Sequence, residues 1–292
     1  MDTKQNPFSF YDFLGYLIPG AVFLYGVLLM LGHLDANETS FSFVEKHLSF
    51  EKSEIYIPFI LLAYITGHFL AFISSITIER YSLWAHGYPS KYLLGIKHAS
   101  YFSAKEKVFL RFVMRLIVGF LLAPISILDW LLGKELGLYE LYAKPLDPLL
   151  IAVLRSRIDS LIIHHGQIEP KEEYGSADEL DFFRYAYHFA VENAPNHLSK
   201  MQNYVALYGF LRTLTLISLI AFWILLWHIV NLKSFGLTAA IILIASISFL
   251  TYMIFMAFVK FYRRFSLEAL MAMAVTYQFP PIAENAKSSD KK

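Results

Sequence analysis

Residues 212–264 read RTLTLISLIAFWILLWHIV (212–230), NLKSFG (231–236), LTAAIILIASISFLTYMIFMAFV (237–259) and KFYRR (260–264), and the fold follows from them. Each apolar run is about 20 residues long, enough at about 1.5 Å per residue to cross roughly 30 Å of hydrocarbon. No Asp, Glu, Lys or Arg lies inside either run. Two such runs joined by a short polar turn form a transmembrane helical hairpin, which brings Arg212 and the cations Lys260, Arg263 and Arg264 to one membrane face. Positive charge flanking a span is retained in the cytoplasm, so that face is predicted to be cytoplasmic.

Composition agrees. The chain is 57% hydrophobic and only 17% charged, with mean hydropathy +0.47, and the apolar residues gather in runs instead of recurring with a period. That is the pattern of a polytopic membrane protein. A net charge of +1 argues against a nucleic-acid partner, which calls for a strongly basic surface. The absence of cysteine removes disulfides, thiolate nucleophiles, cysteine zinc sites and iron–sulfur clusters together. Neither a cofactor nor a metal is expected.

Working outward, residues 13–34 form an apolar run too long for a signal-peptide core. Lys4 is the sole cation before it and no small-residue cleavage site follows, so an uncleaved first span is expected. Phe8, Phe10, Tyr11, Phe13 and Tyr16 resemble an interfacial aromatic belt, and Pro19 with Gly20 predicts a kink. Residues 35–54 carry five acids against Lys46 and Lys52 and read as an extracytoplasmic loop. Residues 55–78 are the second span, so 1–79 is an N-terminal helix pair. Within it Ala63, Gly67, Ala71 and Ser75 recur every four residues, a stripe of small side chains that lets helices approach closely. His68 sits beside the stripe near mid-membrane, where an ionisable group is a functional candidate by default.

Residues 79–111 turn basic, with Arg80, Lys91, Lys97, Lys105, Lys107 and Arg111 against Glu79 and Glu106. Residues 112–132 are apolar but interrupted by Arg115, Pro124 and Asp129. Were they to cross, the basic C-terminal face of the hairpin would lie outside. They are therefore predicted to be a re-entrant or interfacial helical segment broken near Pro124, which leaves four transmembrane helices and both termini cytoplasmic. A small cytoplasmic helical domain is expected over 133–211. It has Pro148 and Gly166 bounding one helix, a capping box at Ser176 and Glu179 opening the next, and a stop before Pro195. From Asn196 the 3/4 pattern of Leu198, Met201, Val205 and Tyr208 runs without a break into the span, predicting one continuous helix. Residues 265–292 are expected to be a cytoplasmic tail, partly disordered. The class is thus an all-α polytopic membrane protein, expected in a cell membrane of the bacterial inner-membrane kind.

Chemistry-bearing spacings are few. Asp181, His188 and Glu192 are seven and four apart, one helical face that suits acid/base work or half a metal site. The Arg157–His164 spacing, with His165 adjacent, resembles the short motif of the HEPN ribonucleases, which implies a nuclease centre. About one such spacing is expected by chance from nine arginines and ten histidines. No phosphate-binding glycine loop, dinucleotide fingerprint, HExxH, nucleophile elbow or pair of acids within a span occurs. Three readings follow. The first is a homo-oligomeric membrane effector or pore-type protein whose cytoplasmic helices sense a ligand or partner. The second is a non-enzymatic scaffold that anchors a cytoplasmic partner. The third is a membrane-tethered hydrolase or nuclease built on Asp181, His188 and Glu192 or on Arg157 and His164.

Overall fold

The computed structural model describes residues 12–34, 42, 44–45, 53–98, 101, 109–166, 181–232 and 236–278. Among these residues no strand occurs, and four helices are long and apolar enough to cross a membrane: Phe13–Gly32, Tyr56–Tyr92, Pro195–Asn231 and Leu237–Thr276. The protein is an all-α polytopic membrane protein.

In chain order, α1 (Ile18–Leu34) is entered through the π-helical turn Phe13–Leu17. Helix α2 (Ser53–Ser74) ends in a second π turn, Ser75–Glu79, and leads into α3 (Arg80–His86) and the short α4 (Pro89–Tyr92). Helix α5 (Phe109–Leu121) meets α6 (Ala123–Leu128, continued by the π turn Asp129–Glu135) at an angle of 87°. Then come α7 (Tyr139–Tyr142), α8 (Pro148–Ser160, with the π turn Leu161–His165) and α9 (Phe182–Asn193). Two long helices close the chain, α10 (Pro195–Leu232) and α11 (Leu237–Thr276).

Pro19 has no N–H to give the carbonyl of Gly15, and the irregularity this causes is the π turn just before it, while 18–34 continues as one helix. The first two spans meet almost backbone to backbone. A Cβ built on Gly20 would lie 1.8 Å from the carbonyl oxygen of Ala63, and one on Gly67 would lie 1.9 Å from that of Tyr16. Only glycine permits this approach.

Helices α10 and α11 have 38 and 40 residues, roughly 57 and 60 Å, about twice the thickness of the hydrocarbon. Their apolar halves are the hairpin of the sequence. Their other halves project beyond it and carry α8 and α9. Ala186 and Ala190 of α9 and Leu154 and Ile158 of α8 are buried with Ala269, Leu270 and Met273 of α11. Phe183 and Tyr187 meet Phe265 edge-on at 6.0 and 5.6 Å, and Phe189 meets Tyr277 at 5.7 Å. Glu268 joins the two rods across the same end, accepting from Lys200 at 2.6 Å and lying 2.8 Å from His197 Nδ1.

This packing corrects one boundary. The hairpin's second helix does not give way to a tail at residue 265 but runs on to Thr276, because Phe265, Ser266, Ala269, Leu270, Ala272 and Met273 are all buried against the surrounding helices. Helix α10 is unbroken from Pro195 into the apolar run, as the periodicity from Asn196 predicts. Asp147 caps α8 by accepting from the N–H groups of Leu149 and Leu150 ahead of Pro148. The capping box at Ser176 and Glu179, the belt residues Phe8, Phe10 and Tyr11, and residues 279–292 lie outside the described residues.

Arg212, read from the sequence as a charge marking a membrane face, has Glu79 as its partner. The Arg212 guanidinium donates to the Glu79 carboxylate, to Ser74 Oγ at 3.1 Å and to the Ala71 carbonyl at 3.3 Å. Both side chains are largely buried. Each would be costly there alone, and together they fasten α2 to α10.

Candidate functional site

The bent pair α5–α6 builds the site. A break between two apolar helices frees backbone carbonyls that bilayer hydrocarbon cannot satisfy, so each needs a partner from the protein. The Gly119 carbonyl accepts from Ser126 Oγ at 3.0 Å across the bend, and the Leu121 carbonyl accepts from Trp223 Nε1 of α10 at 2.8 Å. Pro124, at the start of α6, has no N–H that would need an acceptor there. The bend is thereby held against the apolar half of the hairpin.

From this bend α6 returns and presents Asp129 inward. Its carboxylate is 10% exposed; Oδ1 accepts from the Tyr142 hydroxyl at 2.6 Å, and Oδ2 lies 3.3 Å from His86 Nε2. That imidazole nitrogen is fully enclosed, yet the angle to Asp129 is not that of a hydrogen bond, so it is a buried polar atom without one. Tyr142 in turn lies 3.4 Å, hydroxyl to hydroxyl, from Tyr252 of α11. Burial and then the adjacent Asp129 push the Tyr142 phenol well above its ordinary pKa, so it stays protonated and donates. Gly133, one turn on from Asp129, makes room: a Cβ there would lie 2.7 Å from the Tyr142 hydroxyl and 3.0 Å from Asp129 Oδ1. His86 is packed among the rings of Tyr139, Tyr142 and Phe255, at centroid distances of 5.3, 5.7 and 6.1 Å. It is placed there by the end of α3, where Gly87, at φ +81°, turns the chain as a residue with a side chain rarely does.

Above this polar floor opens a cavity of about 950 Å³ bounded by α3, α5, α6 and the residues around Tyr139. Arg115 stands on its wall. The guanidinium donates to the Tyr101 carbonyl and lies over the rings of Trp84 and Tyr101, at 5.4 and 5.8 Å. The Tyr101 hydroxyl donates back to the Arg115 carbonyl at 2.8 Å, its pKa pushed up to about 12 by burial. Lys134, His98 and Glu140 complete the polar lining, and Leu116, Phe120 and Trp130 supply apolar surface. The arrangement brings a carboxylate, an imidazole and two phenols into contact beside an amphipathic space.

The residues singled out from the sequence lie elsewhere. His188 and Glu192 are exposed on α9, Asp181 is exposed just ahead of its first residue and so does not share a helical face with them, and among the described residues no hydrogen bond or ion pair joins the three. Asp181 pairs with Arg184 at 3.7 Å on the rim of a second cavity, of about 500 Å³, walled by Tyr88, Tyr187, Tyr262 and Phe265. Arg157 donates to the Tyr277 carbonyl at 2.8 Å and ties down the end of α11, while His164 is exposed and its neighbour His165 contacts Tyr185 at 2.6 Å. Ala63 and Gly67 face α1, Arg212 reaches the Ala71 carbonyl, and Ser75 donates to Phe72 within its own helix. His68 is stacked on Tyr16 at 3.7 Å with its outer side exposed.

Sequence reasoning noted Asp129 and Arg115 only as interruptions of an apolar run and passed over His86, Tyr142 and Tyr252. The available signal was that acid: a carboxylate in an apolar helix must have partners. Their identity, 43 residues earlier for His86 and 123 later for Tyr252, follows no spacing rule. No protein-family model, curated protein or solved structure matches this chain.

Proposed function

We propose that this protein is a membrane effector of the pore or leak type, acting as a homo-oligomer, in which a ligand or partner engaged on the cytoplasmic side alters the packing of the spans. One observation carries the reading. The bonded series Asp129–Tyr142–Tyr252 runs from the bent pair through the segment after it to a helix of the transmembrane hairpin, and its first member, Asp129, lines a cavity large enough for a ligand. Occupancy that moves Asp129 or Tyr142 therefore acts directly on α11, and α11 is one rigid helix from the projecting half to the far end of the span. The exposed imidazole of His68, on the outer side of α2 among Ile65, Phe69 and Phe72, supports self-association, since a second copy covering it spares a polar ring from hydrocarbon.

The test is reconstitution. Purified protein in potassium-loaded vesicles is expected to dissipate a potential read by a voltage-sensitive dye, and Tyr252→Phe, which removes the hydroxyl link while keeping the ring, is expected to change that leak about tenfold. Vesicles with wild-type protein that hold their potential like protein-free ones, in both anionic and zwitterionic bilayers, would remove the effector reading in favour of a passive anchor.

A further inference from the structure

The same cavity also indicates what enters it. Its flank lies at bilayer depth: the bend at Leu121 is bonded to Trp223, which sits ten and seven residues, about 15 and 10 Å, from the two ends of the apolar run 213–230. A cavity beside that bend is reached sideways from the membrane. Its lining is of two kinds. Leu116, Phe120 and Trp130, which are 47%, 67% and 58% exposed, supply apolar surface. Arg115 and Lys134 supply positive charge, and the same lining includes His86, whose Nε2 is enclosed, and Asp129, already engaged with Tyr142. The Arg115 fork is held in place by the Tyr101 carbonyl and two aromatic faces, which suits recognition of an oxyanion by a planar donor set. Glu140, the remaining acid of the rim, and His98 face the same opening.

We propose that this cavity is a phospholipid site, in which the lipid phosphate meets Arg115 and Lys134 and an acyl chain lies along Leu116, Phe120 and Trp130. This rests on the effector reading for its role, and names the ligand as a lipid drawn from the surrounding bilayer. Two cations beside an apolar wall match a phosphate attached to a hydrocarbon chain. A free phosphate leaves the apolar wall unused, and an uncharged lipid offers the cations no oxyanion.

The experiment measures binding alone. The full-length protein in maltoside detergent is titrated with dioleoyl phosphatidylglycerol, with dioleoyl glycerol, which lacks the phosphate, and with inorganic phosphate, and the complexes are counted by native mass spectrometry. Phosphatidylglycerol is expected to bind at one per chain, about tenfold tighter than dioleoyl glycerol, and to resist displacement by inorganic phosphate. Arg115→Gln with Lys134→Gln should abolish the preference. Lys134→Gln alone, on an exposed side chain whose loss leaves the fold intact, should weaken it about threefold. Equal binding of the two lipids, or a preference unmoved in Lys134→Gln and in the double variant, would show annular contact only and overturn the site. Displacement by inorganic phosphate would overturn the lipid in favour of a soluble anion. Selective binding without leak keeps the lipid site and removes the effector reading; leak without selectivity does the reverse.

Discussion

The first two spans and the bent pair are both apolar helix pairs, and they solve opposite problems. In α1 and α2 glycines let the backbones touch, so that the Gly20–Ala63 and Gly67–Tyr16 contacts leave no space for even a methyl group. In α5 and α6 the chain turns by 87°, and the space under the bend is a cavity floored with a carboxylate, an imidazole and hydroxyl groups. Dispersion contacts hold the first pair, and hydrogen bonds to named partners hold the second. Close packing gives a fixed frame, and a bend with its carbonyls satisfied by other elements gives a part that can respond.

The contrast can be broken from either side. The largest effect is expected at the frame. Gly67→Leu drives a side chain into the backbone of Tyr16 and should cost about 3 kcal/mol, read as a lowered thermal unfolding midpoint in detergent. Gly26→Ala, where a Cβ meets nothing within 4 Å, should leave the midpoint in place, and equal effects at the two glycines would refute the close-contact account. Next comes Asp129→Leu, which leaves the enclosed Tyr142 hydroxyl without its acceptor and should cost about 2 kcal/mol, with Asp129→Asn recovering most of it. If Asp129→Leu is as stable as wild type, the cluster does not hold the bend. Smallest is Gly133→Ala. The new methyl displaces the Tyr142 hydroxyl, the far end of a ring, so about 1 kcal/mol is expected, together with a changed near-ultraviolet tyrosine signal.

The apolar runs were legible because length and freedom from charge are properties of contiguous residues. The same holds for the continuous helix from Asn196 and for the proline and glycine bounding α8. Residues 265–276 belong to the helix because Phe265, Ala269 and Met273 pack on α9 and α8, which a linear pattern does not display. The acidic and basic residues of α9 attracted notice by their regular spacing, and they are exposed.

The chain's own residues thus determined that it spans the membrane, where its long helices begin and which residues are too polar for an apolar run, since these follow from local hydropathy and backbone chemistry. What only the tertiary structure decided is which polar groups meet. Asp129 lies against His86 and bonds Tyr142, Tyr142 reaches Tyr252, and Arg212 bonds Glu79; these partners are 13 to 133 residues apart in sequence, and contact depends on distance in space, not along the chain.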